Sequence, residues 1–266
     1  MAIHPDTNLV FFSDADHVLQ SFRSDGTVVF RGEAAGDYWD PQGMAVLRDW
    51  ILVTSYFNGV QIYDVNGALI RQWGASYGDG DGQFSCATGV AVHPTHNLLF
   101  VIDSGNHRVQ VFELDGTFVR KWGTQGSGDG QFHYPFGVAV HPTRDLIFVA
   151  DERNHRIQAF RNDGTFLFKW GGEGAENGFF NSPCHLTLHP IRDLLFVADR
   201  DNHRIQVFDL NGVFITKWGA KGQADGKFCH PYDLSAHPTK DMVYVSDNYC
   251  IQAFKLFPER RKRKKV

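Results

Sequence analysis

A 48-residue interval recurs along the chain. His93, His141, His189 and His237 stand 48 positions apart, and Trp122, Trp170 and Trp218 keep the same spacing. From Gly89 to Gly123 the chain reads GVAVHPTHNLLFVIDSGNHRVQVFELDGTFVRKWG. From Gly137 to Gly171 it reads GVAVHPTRDLIFVADERNHRIQAFRNDGTFLFKWG, and Leu186 to Gly219 repeats the pattern again. Two looser copies lie upstream, and a shortened sixth, LSAHPTKDMVYVSDNYCIQAFKLF, follows. Self-similarity at such a period marks an array of small units that bury their faces only against each other.

Each copy carries four short β signals. VAV, LIFVAD, RIQAF and TFLFKW are rich in branched and aromatic residues, with turn chemistry between them. The turns are HPTRD, a DxxNH corner, and NDG or LDG, the last a strong hairpin signal. No 3.6-residue periodicity appears, and the spacing of 27 glycines would break a helix. Four strands per copy, six times over, predict an all-β, six-bladed β-propeller. Large residues facing small ones across blades, with the KWG tryptophans between them, are the expected filler. The sixth copy stops after its third strand, so the last blade is expected to lack a well-formed outer strand. Its edge near Ile251–Phe254 would then be open to strand addition from another chain.

The copies resemble the NHL-repeat family, whose signature PxGVAV…VADxxNHRIQVF…GxFxxKWG is matched closely in copies three to five. The resemblance spans Ala2 to Phe257 and implies the same six-bladed propeller. The expected domain is therefore residues 1–258, with 259–266 as a basic tail. Some family members carry RING or B-box zinc modules and act as ubiquitin ligases. This chain has neither, so a ligase-associated role could only be that of a substrate-recognition piece.

Charge divides sharply. The tail ERRKRKKV holds six basic residues and one acid; without it, 26 basic and 30 acidic side chains fall to 20 and 29, a body charge of −9. The run RRKRKK reads as a nuclear-import or anionic-surface patch, or as a solvated end, and supports an intracellular, cytoplasmic or nuclear, location. No run of 18 apolar residues exists, so no membrane-spanning helix is expected. Four cysteines without a CxxC pair argue against a disulfide framework or a Cys-rich zinc site. The ring is expected to be monomeric.

Candidate site residues lie where the strand-two-to-three corners and the inter-blade segments meet. The corners offer His107, His155, His203, Arg153 and Arg200, with Tyr56, Phe57 and Tyr249 in the divergent copies. The inter-blade segments add Phe136, His185, Tyr232 and Asp233. The Asn-His-Arg triplets have a structural reading: Asn caps its turn through its side-chain oxygen, and Arg pairs with Asp103, Asp151 or Asp199. The histidines of the triplets, more exposed by position, are candidate ligand contacts. The ring of His4, His93, His141, His189 and His237 is expected to be scaffolding, since equivalent positions on different blades do not converge on one ion. The GDG segments read as flexible loops, because the remaining ligands of a calcium loop are out of register. The position opening each inner strand is Gly43, Gly89 and Gly137 in copies two to four but His185 and Asp233 in copies five and six. That places a polar pair at the channel mouth, either as a ligand contact or as a simple hydrogen-bonded pair.

Three functions follow. A non-enzymatic scaffold binding a protein partner on the loop face requires no special chemistry and is the reading adopted, with no catalytic residue, metal or cofactor. Single-stranded RNA binding, which the resemblance implies for some members, needs a basic face with stacking aromatics, and the −9 body opposes it. A zinc enzyme resembling the amidating lyase of this fold needs His ligands near the channel, and His185 alone is suitably placed.

Overall fold

A computed structural model describes residues 1–13, 18–33, 40–74 and 77–256. Six small antiparallel sheets stand around one axis. Blade 1 is β1 (Ala2–Ile3), β2 (Val10–Ser13), β3 (Val18–Phe22) and β4 (Val28–Glu33). Blade 2 is β5 (Pro41–Leu47), β6 (Trp50–Ser55), β7 (Gly59–Asp64) and β8 (Leu69–Trp73). Blade 3 is β9 (Ala87–His93), β10 (Leu98–Asp103), β11 (Arg108–Glu113) and β12 (Phe118–Trp122). Blade 4 is β13 (Pro135–Val140), β14 (Ile147–Asp151), β15 (Arg156–Phe160) and β16 (Phe166–Gly171). Blade 5 is β17 (Pro183–His189), β18 (Leu194–Asp199), β19 (Arg204–Asp209) and β20 (Phe214–Trp218). Blade 6 has three strands, β21 (Asp233–Ala236), β22 (Met242–Ser246) and β23 (Ile251–Lys255). The expected fold and the expected gap in the last blade are both present. The basic tail lies outside the described residues.

The first strand of each blade lines the axis, and these inner strands touch in sequence from β1 round to β21 and back to β1. A narrow cavity of about 300 Å³ runs between them, ringed at one end by Pro94, Pro142, Pro190 and Pro238. The hydrophobic clusters lie between blades. One joins Phe148 and Ile157 of blade 4 to Leu195 and Phe208 of blade 5. Others join blades 2 and 3, 5 and 6, 3 and 4, and 1 and 2 in the same way. The cluster at the junction of blades 6 and 1 is the smallest, with only Met1, Ile3, Val10 and Tyr244 buried.

The outer-strand tryptophans act as expected. Trp73, Trp122, Trp170 and Trp218 each lean on the third-strand phenylalanine of the next blade, with ring centroids 5.5–5.9 Å apart. An inter-blade phenylalanine completes each junction: Phe84, Phe132, Phe180 and Phe228 pack on the same rings at 5.6–5.7 Å. Fully burying one such side chain stabilises by about 1.5–3 kcal/mol.

Near the axis the blades approach so closely that only glycine fits. A Cβ on Gly89 would lie 2.5 Å from the Phe136 carbonyl oxygen, and one on Gly137 2.6 Å from that of Cys184. Both obstacles are backbone. Gly137→Ala is therefore expected to lower stability by about 1–3 kcal/mol, measured by urea denaturation, whereas His185→Gly at the equivalent place in blade 5 introduces no overlap.

Candidate functional site at the loop face

In each blade the turns joining strands one to two and three to four lie at one end. The two-to-three corners and the inter-blade segments lie at the other, forming the loop face. In blades 3 to 5 the motif DxxNHRxQ builds one network there. The Asp103 carboxylate, fully buried, accepts from Arg108 Nε at 2.7 Å, Gln110 Nε2 at 3.0 Å, the Asn106 amide at 2.9 Å and the Ser85 backbone N–H at 2.8 Å. Arg108 donates its other nitrogens to the carbonyls of Asp79, Gly80 and Gln83. Arg156 does the same to Ser127, Gly128 and Gln131, and Arg204 to Glu176 and Phe179 at 2.9 Å each. A planar, permanently charged fork suits several carbonyls and a carboxylate at once.

The expected Asp–Arg pairing holds. The Asn acts differently from the expected cap: its amide nitrogen donates to the Asp and to the carbonyl of Gly78, Gly126 or Gly174 at 2.8–2.9 Å. The GDGQF segments are held by these bonds and by Lys121–Asp81 and Lys169–Asp129 ion pairs of 2.7 Å, so they are not the loose loops the sequence suggests.

The triplet histidines occupy left-handed backbone at φ 55°, 52° and 55°. Each Nδ1 accepts a backbone N–H from the following inter-blade segment: Tyr134 to His107 at 3.1 Å, Ser182 to His155 at 3.1 Å, and His230 to His203 at 3.2 Å. One nitrogen of each is thus engaged in the fold. The other histidine ring, at the opposite end, caps its turns in the same manner, as when His141 Nδ1 accepts from Thr143 and Arg144. Its Nε2 lies 3.1 Å from Asp193 of the next blade. Among the described residues no three His, Cys, Asp or Glu side chains gather where a cation could sit.

The channel mouth is where the repeat departs from itself. Phe136, His185 and Tyr232 form an aromatic triangle with centroids 5.1–5.6 Å apart. His185 is buried, and burial lowers its affinity for a proton, against the pull of Asp233. Its Nδ1 stands 3.7 Å from Asp233, beyond hydrogen-bond length, and Nε2 has no hydrogen-bond partner. Asp233 instead meets the amino group of Met1. Tyr232 donates to Gln42 Oε1 of blade 2 at 2.7 Å, reaching across the short β1. Arg200 of blade 5 pairs with the buried Glu152 of blade 4 at 3.0 Å. Burial raises the phenol pKa of Tyr56, with Cys86 and Asp40 nearby adding to the shift. Phe57 and Tyr249 point into solvent, 61% and 62% exposed, and Arg153 is largely exposed. Reading the sequence missed Gln42 and Glu152: the first sits in a loose copy, and the second varies among the corners.

Comparison with protein families matches the NHL repeat at residues 84–112 and 132–160. Two of the propeller's repeats are NHL repeats. Both matched spans open on the inter-blade phenylalanine and end on the third-strand phenylalanine against which it packs. No curated protein matches. Among solved structures, a chain of Kuenenia stuttgartiensis hydrazine synthase is similar at 11% identity, over 96% of this chain and 94% of that one, with a TM-score of 0.65. At that identity the likeness concerns the NHL propeller's fold alone.

Two outcomes follow for this propeller. Arg156→Ala strands a buried carboxylate and is expected to cost about 3–5 kcal/mol, whereas Arg161→Ala, in an exposed pair with Asp145, changes stability by less than about 1 kcal/mol; urea titration compares them. His93, His107, His189, His203 and His237 all have lowered proton affinity, burial being the first cause. The unfolded chain therefore binds more protons below about pH 6.5, the ordinary histidine value. Stability is present above that pH and lost below it, so the urea midpoint is expected to fall between pH 7.5 and pH 5.5.

Proposed function

We propose that this propeller is a non-enzymatic scaffold that binds a protein partner on its loop face, through the sector formed by blades 6, 1 and 2. One observation carries this reading. In blades 3 to 5 the Asp, Arg and Gln side chains of the motif are consumed by a buried network, while the corners of blades 2 and 6 lack the arginine and expose Phe57 and Tyr249. Phe57, Tyr249 and the half-buried Tyr56 supply a few anchoring rings, and Arg153 and Arg200, at the corners of blades 4 and 5, continue the same face as a polar rim. The absence of converging ligands among the described residues gives the zinc-enzyme reading no support from this site, and the acidic body gives RNA little attraction.

The test compares the full chain with Phe57→Ser/Arg153→Glu and with an opposite-face control, Ile191→Ser/Val213→Ser, whose residues are exposed at the other end. In quantitative cross-linking within cells, partners are expected to fall about tenfold with the first variant and to persist with the control. Equal loss or equal retention in both sinks the loop-face reading. Salt-sensitive binding of single-stranded RNA by the wild-type chain, abolished by Arg153→Glu, transfers the site to RNA.

A further inference from the structure

The turn between the third and fourth strands carries a glycine in each of blades 1 to 5: Gly26, Gly67, Gly116, Gly164 and Gly212, all at φ between 80° and 93°. Four of them lie under an aromatic ring from the outer strand of the preceding blade. A Cβ on Gly116 would sit 3.1 Å from Trp73, one on Gly164 2.8 Å from Trp122 and one on Gly212 2.8 Å from Trp170, while Gly67 is covered by Phe30. A Cβ on Gly26 would meet nothing within 4 Å among the described residues. Its blade meets blade 6, which has no fourth strand among the described residues.

A cleft of about 810 Å³ occupies that junction. Phe22, Gly26 and Val28 of blade 1 form one wall, and the run from Ser246 to Ile251 of blade 6 forms the other. Phe22 is the counterpart of Phe112, Phe160 and Phe208, since each sits two residues beyond the strand-three glutamine. Those three rings are covered by an outer-strand tryptophan and an inter-blade phenylalanine. Phe22 is met by Phe12 of its own blade. The edge of β23 supplies the missing backbone partner. In blade 5 the register pairs Ile205 with Trp218 and Gln206 with Lys217. By the same register, an added strand would set a tryptophan opposite Ile251 and a lysine opposite Gln252. Asp40 and Asp247 line the cleft, while Asp233 there is paired with the Met1 amino group, so the remaining charge favours a basic segment.

We infer that the cleft between blades 6 and 1 receives an extended segment of a partner polypeptide, which adds to β23 as a fourth strand and seats an aromatic side chain, flanked by a basic residue, on Gly26 and Phe22. The occupant's chemistry is that of this chain's own outer strands, because those strands fill the equivalent groove at the other junctions. Backbone pairing along the edge supplies affinity, and the aromatic pocket supplies selectivity. Tyr249, Tyr232 and Asp233 of the loop face also line this cleft, but Phe57 and Arg153 do not, so variants of those two test the loop-face reading apart from this one.

The probe is a fluorescent peptide with the sequence of residues 165–172, TFLFKWGG, titrated into the full chain and read by anisotropy. Saturable binding is expected, weakened at least about tenfold by alanine in place of the peptide's tryptophan and abolished by N-methylation of alternate backbone nitrogens. Phe22→Ala in the protein is expected to weaken it likewise. The peptide variants carry the test should Phe22→Ala fail to fold. Phe57→Ser/Arg153→Glu is expected to leave peptide binding unchanged, which separates this proposal from the loop-face one. No saturable binding, or equal binding of the alanine and N-methylated peptides, overturns it. So does sedimentation of the wild-type chain as a dimer that peptide cannot dissociate, which assigns the cleft to a second copy. Binding that appears only after residues 257–266 are removed assigns the cleft to the chain's own end.

Discussion

No blade of this ring can bury both of its sheet faces alone, and every large hydrophobic cluster lies between two blades. The contact that recurs is a tryptophan from one outer strand laid over a phenylalanine and a turn glycine of the next blade. That contact explains why three motifs distant in the repeat travel together. KWG supplies the ring, the third-strand phenylalanine supplies its bed, and the DG turn leaves space for it. Where no tryptophan stands among the described residues, as at Gly26, the turn glycine is uncovered and the third-strand Phe22 turns to Phe12 of its own blade.

A second device acts on the loop face. Burying Asp103, Asp151 and Asp199 completely is favourable only if each carboxylate is saturated with donors, and the arginine, glutamine and asparagine of the same motif do this. The arginine's remaining nitrogens then fix the preceding inter-blade segment. The charged motif is therefore a fastener between consecutive repeats, even though its residue types suggest a site. The repeated histidines illustrate the point: His141, His189 and His237 cap turns, and His107, His155 and His203 receive a neighbouring segment's N–H, and no metal cluster converges among the described residues.

Much of this was legible in the sequence, for a physical reason. A repeated Trp, Asp-x-x-Asn-His-Arg or His-Pro can only mean repeated geometry, so the ring, its six units and the short last blade follow from spacing. The close approach at Gly89 and Gly137 was legible too, since a glycine opening a strand signals a tight neighbour. What was not legible depends on which residues meet across blades. Nothing in the spacing tells that Tyr232 reaches Gln42 over the two-residue β1, or that Glu152 lies buried beneath Arg200. The loop-like GDGQF composition concealed how firmly the backbone carbonyls are held, because the donors come from side chains about 25–29 residues further on.

The ring is asymmetric, and its departures from the repeat gather on one side. Blades 3 to 5 carry complete Asp–Arg–Gln fasteners and complete aromatic junctions. Blades 6, 1 and 2 are contiguous round the axis, and they hold the shortened corners, the smallest inter-blade cluster and the uncovered glycine. Weaker mutual packing there is the counterpart of a surface left unspent. A propeller of six identical blades would be more stable but would present the same face to every approach. With no outer-strand tryptophan on blade 6 among the described residues and no corner arginine in blades 2 and 6, the seam has a shape and charge that set it apart from the other junctions.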